Sequence, residues 1–239
     1  QTAEGEESLD EIAAELDYLI RNNGEVCEHY RVAMEYGYNP AYDSRQIVGD
    51  DYGNLAEKRY GNNDVTGPDA SHGTHVAGII AANRKNTIGI RGIADNARIM
   101  VIRAVPNGDE RDKDIANAIF YAVDNGAQVI NMSFGKDYSP QKEVVDKAVR
   151  YAESKGVLLI HAAGNDHTNN DEEPSFQSRY YQDGKEARNW IEVGASSSES
   201  GDGLVGTFYN YGKKSVDLFA PGVEIFSTLP GSTYDNQNG

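Results

Sequence analysis

The 239-residue chain lacks the features that mark several common protein classes. Cys27 is its only cysteine, so no internal disulfide can form and no zinc-finger spacing exists. No apolar run is long enough to span a membrane, and no Gly-x-Gly-x-x-Gly opens a helix after a strand. The sequence therefore predicts no membrane span and gives a dinucleotide-binding protein little support. Cys27 could be a thiol nucleophile, but its apparently helical surroundings favour a packing or surface role.

Basic residues are scarce relative to acidic ones. The chain has 22 Lys and Arg against 38 Asp and Glu, which gives a formal net charge of −16. Residues 1–70 hold 16 of the acidic residues and only 5 of the basic ones. An acidic surface repels phosphate backbones, so we expect no nucleic-acid partner.

The chain begins with Gln1 and has no basic-then-apolar leader, which predicts a start after processing or inside a longer protein.

The first 38 residues form a distinct acidic segment. Ser8 has the character of an N-cap, and apolar residues follow it at helical spacing as far as Ile20. A second helical pattern runs from Glu25 to Glu35 and ends before Gly37. We interpret residues 1–38 as an acidic helical insertion and residues 39–239 as a separate domain.

Beyond residue 70 the pattern changes to alternating strands and helices. Helical periodicity covers Asp114–Asn125 and Gln141–Ser154, and each stretch ends at a glycine. Short apolar runs suited to buried strands lie at Ile99–Ala104, Gln128–Met132, Val157–Ala162 and Ile191–Ala195. This alternation predicts an α/β fold with a mostly parallel sheet flanked by helices.

The strongest chemical signal is Ser71–Gly78, which reads Ser-His-Gly-Thr-His-Val-Ala-Gly. A histidine in such a place, taken alone, is usually structural. The segment, however, resembles the histidine motif of the subtilisin-like (S8 family) serine proteases almost letter for letter. The resemblance implies that His72 is the general base and that His75 packs. Two histidines at this spacing could also suggest a metal site, but no third ligand lies nearby, so no metal or other cofactor is assigned.

Two further segments follow predicted strands. Ala162-Ala163-Gly164-Asn165 resembles the family's oxyanion-hole segment, which implies that Asn165 donates to the developing oxyanion; capping a turn is the alternative role. Ser133-Phe134-Gly135 resembles the strand that pairs with an extended substrate in this family. The resemblance implies substrate-binding roles for these three residues and for Ala162–Gly164. Nothing around Ser133 resembles a nucleophile motif.

The chain departs from the family at two catalytic positions. The family order along the chain is Asp, His, Ser. Val216–Gly231 resembles the segment that leads to the nucleophile, and Gly239 resembles the first residue of the Gly-Thr-Ser-Met-Ala motif, so we expect the serine two residues further on. Asp43 lies 29 residues before His72, but no buried strand precedes it and Arg45 replaces the expected glycine. We therefore expect the catalytic aspartate before Gln1.

The resemblance implies a subtilisin-like fold and a parent protein that hydrolyses peptide or protein substrates through an acyl-enzyme. Without its aspartate and serine, the chain as given is expected to be inactive. The alternative is a non-catalytic, peptide-binding pseudoprotease. Asn86–Ile90 resembles a loop that binds calcium in some relatives, but an exposed turn explains it as well. Because secretion is common in the family that the chain resembles, we also expect a secreted or periplasmic parent protein.

Overall fold

A computed structural model of the chain describes residues 24, 27, 30–37, 39, 41–94, 96–106, 108, 110–201, 204 and 208–239. The chain divides into two compact units, Gln1–Gly49 and Asp50–Gly239. The helix predicted to begin at Ser8 lies outside the described residues. No helix within the described part of the chain has the length and apolar character needed to span a bilayer.

The described part of the first unit contains short helical turns and is mostly exposed. Cys27 is exposed, and a π-helical turn covers Ala33–Gly37. A single helical turn, Arg45–Val48, ends at Gly49, whose left-handed φ of 72° lets its N–H reach the Arg45 carbonyl. Asn39 shapes the turn between these elements, because its side chain accepts from the N–H of Ala41 and donates to a backbone carbonyl.

The second unit contains a parallel sheet of four strands in sequence order. The strands are β1 (Val129–Met132), β2 (Leu158–Ala162), β3 (Trp190–Ser196) and β4 (Leu218–Pro221). Its main helices are α1 (Ser71–Ala81), α2 (Asp112–Asp124) and α3 (Lys142–Ser154). An antiparallel hairpin of β5 (Ile225–Leu229) and β6 (Thr233–Gln237) completes the unit. The predicted α/β fold with a parallel, helix-flanked sheet is confirmed.

The core lies between the sheet and the paired helices α2 and α3. One face of each helix is buried, because apolar residues recur at the helical period along it. Leu159 of β2 has no exposed surface and packs in the same cluster. The buried helix residues are Ile115, Ala116, Ile119 and Val123 from α2, and Val145, Ala148, Val149 and Ala152 from α3.

One strand prediction is wrong. The apolar run predicts a buried strand at Ile99–Ala104, but this segment belongs to neither sheet of the described residues. The side chains of Ile99, Met100 and Val101 are 44%, 41% and 52% exposed. An apolar, β-branched run becomes a strand only where a neighbouring strand supplies hydrogen-bond partners, and none of the described strands lies alongside this run.

Candidate functional site

His72 lies in the first turn of α1, and its side chain is exposed. Just before the helix, the Asp69 carboxylate accepts a hydrogen bond of 2.8 Å from the Ser71 N–H. The Ser71 hydroxyl and N–H both hold the pKa of Asp69 below its usual value, and the nearby charge of a protonated His72 acts in the same direction. The predicted general base is thus accessible, with a carboxylate in its vicinity.

Side-chain hydrogen bonds fix α1 to β5. The His75 imidazole lies 2.8 Å from the Ile225 carbonyl, and the Ser227 hydroxyl donates to the His75 carbonyl at 2.7 Å. The Thr228 hydroxyl donates to the Thr74 carbonyl at 2.8 Å. A Cβ at Gly78 would lie 2.2 Å from the Thr228 hydroxyl, so only glycine permits this approach. His75 is therefore a buried packing residue that helps to hold the helix carrying His72.

Asn165 follows β2 and is exposed. Gly164 before it has a φ of 109°, a conformation that residues with a side chain rarely adopt. The Asn165 amide nitrogen lies 4.0 Å from where a Cβ would stand on Gly239. Gly239 is held there by its own N–H, which donates to the Gly222 carbonyl at 2.9 Å. The predicted oxyanion donor and the glycine predicted to open the nucleophile motif are therefore neighbours.

Ser133, Phe134 and Gly135 follow β1. Met132 and His161 are register partners, so Ser133–Gly135 and Ala162–Asn165 leave the sheet at the same edge and level. Ser133 accepts a hydrogen bond of 2.9 Å from the Asn131 amide. Ala163 is buried, whereas Ala162, Gly164, Ser133 and Phe134 are half-buried. This edge is where α/β proteins of open-sheet type usually bind ligands.

A buried ion pair holds the chain just beyond Gly135. The Lys136 ammonium lies 2.8 Å from the Asp112 carboxylate at the start of α2, and both side chains are at most 4% exposed. The Lys136 backbone exchanges two hydrogen bonds with Phe176, at 2.7 and 2.9 Å. Asp112 also accepts from the Ser139 hydroxyl and the Gln141 N–H, each at 2.8 Å. Burial alone would raise the pKa of Asp112, but Lys136 and these donors outweigh it and hold the pKa below its usual value.

The β5–β6 hairpin links the two halves of the site. β5 carries the hydrogen bonds to α1, and β6 pairs with β5 along its whole length. The Glu224 N–H, just before β5, donates to the Asn238 side chain at 2.7 Å. Gly239 follows at once and approaches Asn165. A continuous set of contacts therefore runs from the helix of His72 to Asn165.

Residues 31–239 match the family model described as the subtilase family. The chain belongs to the subtilase family. A thermophilic serine proteinase of Bacillus sp. (strain AK1) is 39% identical over 202 residues, which are 84% of this chain and 45% of that protein. The major intracellular serine protease of Bacillus subtilis (strain 168) is 36% identical over 200 residues, or 81% of this chain and 57% of that protein.

The solved structures include a psychrophilic protease, S41, that is similar to this chain with a TM-score of 0.62 and 29% sequence identity. That similarity covers 77% of this chain and 62% of the other. The chain spans about half the length of the curated relatives it matches.

Sequence reasoning located the two loops at the sheet edge but missed the groups that hold them. Lys136 follows Gly135 directly, yet a lysine after a glycine reads as a surface residue because lysines are almost never fully buried unless paired. Its partner Asp112 has the pattern of an ordinary acidic residue in a helix's first turn. Nothing in the sequence of this subtilase pairs the two, since they are 24 positions apart.

Proposed function

We propose that this subtilase sequence is part of a serine endopeptidase that cleaves peptide or protein substrates through an acyl-enzyme. His72 is the general base, and Asn165 donates to the oxyanion. Ser133–Gly135 and Ala162–Gly164 bind the substrate backbone and the side chain that precedes the cleaved bond. The observation that carries this proposal is that both substrate-binding loops leave neighbouring parallel strands at one edge, where Asn165 lies beside Gly239.

The nucleophile and the orienting acid are proposed to come from outside residues 1–239. Gly239 beside the Asn165 amide suits the first residue of a Gly-Thr-Ser-Met-Ala motif. The acid would follow a strand on the outer edge of β1, where none of the described strands is paired. Ser227 is not a candidate for the nucleophile, because it is buried and donates to the His75 carbonyl.

Residues 1–239 alone are therefore proposed to be inactive. A base without a serine has nothing to activate, because base, nucleophile and acid act as a unit. The open β1 edge and the two loops still offer backbone groups to an extended peptide.

The test compares residues 1–239 with a polypeptide extended at both ends, using a broad peptide substrate. We expect turnover only from the extended form, abolished by His72→Ala. Asn165→Ala should lower kcat by about 100- to 1000-fold, the loss seen when subtilisin loses its oxyanion-hole asparagine. Turnover by the short form would mean that another residue is the nucleophile. Inactivity of both forms would instead support a peptide-binding pseudoprotease.

The remaining assignments are proposals of the same kind. Residues 1–38 are proposed as an acidic insertion. Deleting these residues should therefore not prevent the rest of the chain from folding.

The net charge of −16 supports the absence of a nucleic-acid partner. A secreted or periplasmic parent is proposed from family habit, although one similar protein is named an intracellular protease. Fractionation of cells expressing the whole protein tests this last proposal.

A further inference from the structure

Asn210 makes hydrogen bonds on both sides of Asn165. Its backbone N–H donates to the Gly164 carbonyl at 2.9 Å, and its side-chain amide donates to the Ala163 carbonyl at 2.9 Å. Its side-chain oxygen accepts from the N–H groups of Asp166, at 2.8 Å, and Thr168, at 3.1 Å. Asn210 is only 2% exposed, so water does not compete for these groups. One buried residue thus fixes the backbone immediately before and after the oxyanion donor.

The chemistry of this position suits an asparagine. The side chain must donate at one end and accept at the other, which an amide does and a carboxylate does not. The fit is also close, because a Cβ on Gly164 would lie 2.4 Å from the Asn210 amide nitrogen. Loss of the amide would leave the N–H groups of Asp166 and Thr168 without this acceptor.

The residue before it reaches the other side of the site. The Tyr209 hydroxyl donates to the Gly222 carbonyl at 3.0 Å, and the same carbonyl accepts the Gly239 N–H. Tyr209 has no exposed surface, and this burial raises the pKa of its hydroxyl. Consecutive buried side chains therefore contact the loop of Asn165 and the segment that holds Gly239.

We propose that Asn210 is a positioning residue that sets the geometry of the oxyanion donor Asn165. This inference rests on the proposed function, in which Asn165 stabilises the transition state. Asn210 touches no reacting atom and acts through the backbone of residues 163–168. Catalysis depends on such geometry, since a displacement of about 1 Å can cost about 100-fold in rate.

The experiment uses the extended, active polypeptide and measures kcat, KM and the thermal unfolding midpoint. We expect Asn210→Ala to lower kcat by about 10- to 100-fold with little change in KM, because the lost interaction is made mainly in the transition state. In an Asn165→Ala background the same change should cost less than about twofold, since the donor it positions is gone. Asn210→Ser is the milder variant should the alanine variant not fold.

Asn170→Ala is the matched control. The Asn170 amide donates to the same Ala163 carbonyl at 2.8 Å, and Asn170 is also buried, but it is not bonded to Asp166 or Thr168. Its substitution should lower kcat much less than Asn210→Ala does. Equal losses from the two substitutions would overturn the positioning role.

The two proposals fail differently. If Asn165→Ala leaves kcat unchanged, the proposed oxyanion role falls and the positioning role falls with it. If Asn165→Ala lowers kcat but Asn210→Ala lowers kcat by the same factor in both backgrounds, only the positioning role is overturned, because Asn210 then affects catalysis independently of Asn165.

Discussion

The loop that carries Asn165 follows β2, and the outer edge of β1 is the unpaired side of the strand next to it. The backbone of the loop has hydrogen-bond partners within the chain, whereas none of the described strands pairs with the outer edge of β1. Around Asn165, buried amides supply partners to the backbone of residues 163–168. At the β1 edge, Val129 is 57% exposed. The loop around Asn165 is therefore held by residues of this chain, whereas the proposed function requires a further strand at the β1 edge.

The two regions also differ in how strongly their side chains stabilise the fold. The loop around Asn165 and the chain beyond Gly135 contain buried polar groups whose loss leaves an unpaired charge or donor, which is costly. The β1 edge contains an apolar side chain already in contact with water, whose substitution should cost little.

The largest effect is expected at the buried ion pair that holds the chain beyond Gly135. Lys136→Met removes the ammonium but leaves the Asp112 carboxylate buried, so the free energy of unfolding should fall by about 3–5 kcal/mol. Urea unfolding of the chain measures the loss. The control is the double variant with Asp112→Asn, which removes the uncompensated charge and should lose clearly less. An equal loss in the single and double variants would contradict the assignment.

The second prediction concerns the tight contact beside Asn165. Gly164→Ala would place a Cβ 2.4 Å from the Asn210 amide nitrogen, in addition to the strain of a positive φ. Gly184→Ala is the matched control, because Gly184 has a φ of 79° but a Cβ added there would meet no atom within 4 Å. We expect Gly164→Ala to be less stable than the control by about 1–3 kcal/mol, the usual cost of overpacking. Similar unfolding midpoints for the two variants would argue against a crowded loop.

The third prediction is a dependence on acid. The folded-state pKa of Asp112 is lowered, so its contribution is fully present above the unfolded value of about 3.9 and is lost as the pH falls below it. The stability of the wild-type chain should therefore decline as the pH falls below about 4, and Asp112→Asn should show a shallower decline. Urea midpoints measured across this range test the sign. A parallel decline in both proteins would mean that other carboxylates account for it.

The sequence predicted most strands of the parallel sheet but not all of them. Apolar runs predicted β1, β2 and β3 correctly, because short continuous apolar runs are typical of strands in a parallel sheet. The positions of the loops that contain Ser133–Gly135 and Asn165 could also be predicted, because their motifs come directly after those strands. The same reasoning failed at Ile99–Ala104, where burial depends on a partner strand rather than on the run itself.

The sequence did not predict the buried roles of Asn210 and Lys136, for a related reason. A polar residue in a loop has no periodicity, so its burial is visible only once distant segments have come together. The polar composition of the segment from His167 to Asn189 likewise predicts a surface loop, but this segment contributes the buried side chains of Gln177 and Tyr181. Polar contacts over long sequence separations are the part of this site that the sequence did not predict.

The smallest effect is expected at the open edge. Val129→Thr should change the stability of residues 1–239 by no more than about 0.5 kcal/mol, because the side chain is already mostly in water. In the extended polypeptide the same substitution should cost more if a strand covers β1, as the proposed function requires. Equal changes in the two forms would show that the edge stays open and would count against that strand.

The central claim is that this chain supplies the base and the oxyanion donor but not the nucleophile. Labelling with a serine-directed phosphonate, followed by mass mapping of the labelled peptide, tests it most directly. We predict no labelling of residues 1–239 and, in the extended polypeptide, a single label on the serine two positions after Gly239, lost in His72→Ala. A label on any serine within residues 1–239 would contradict the account.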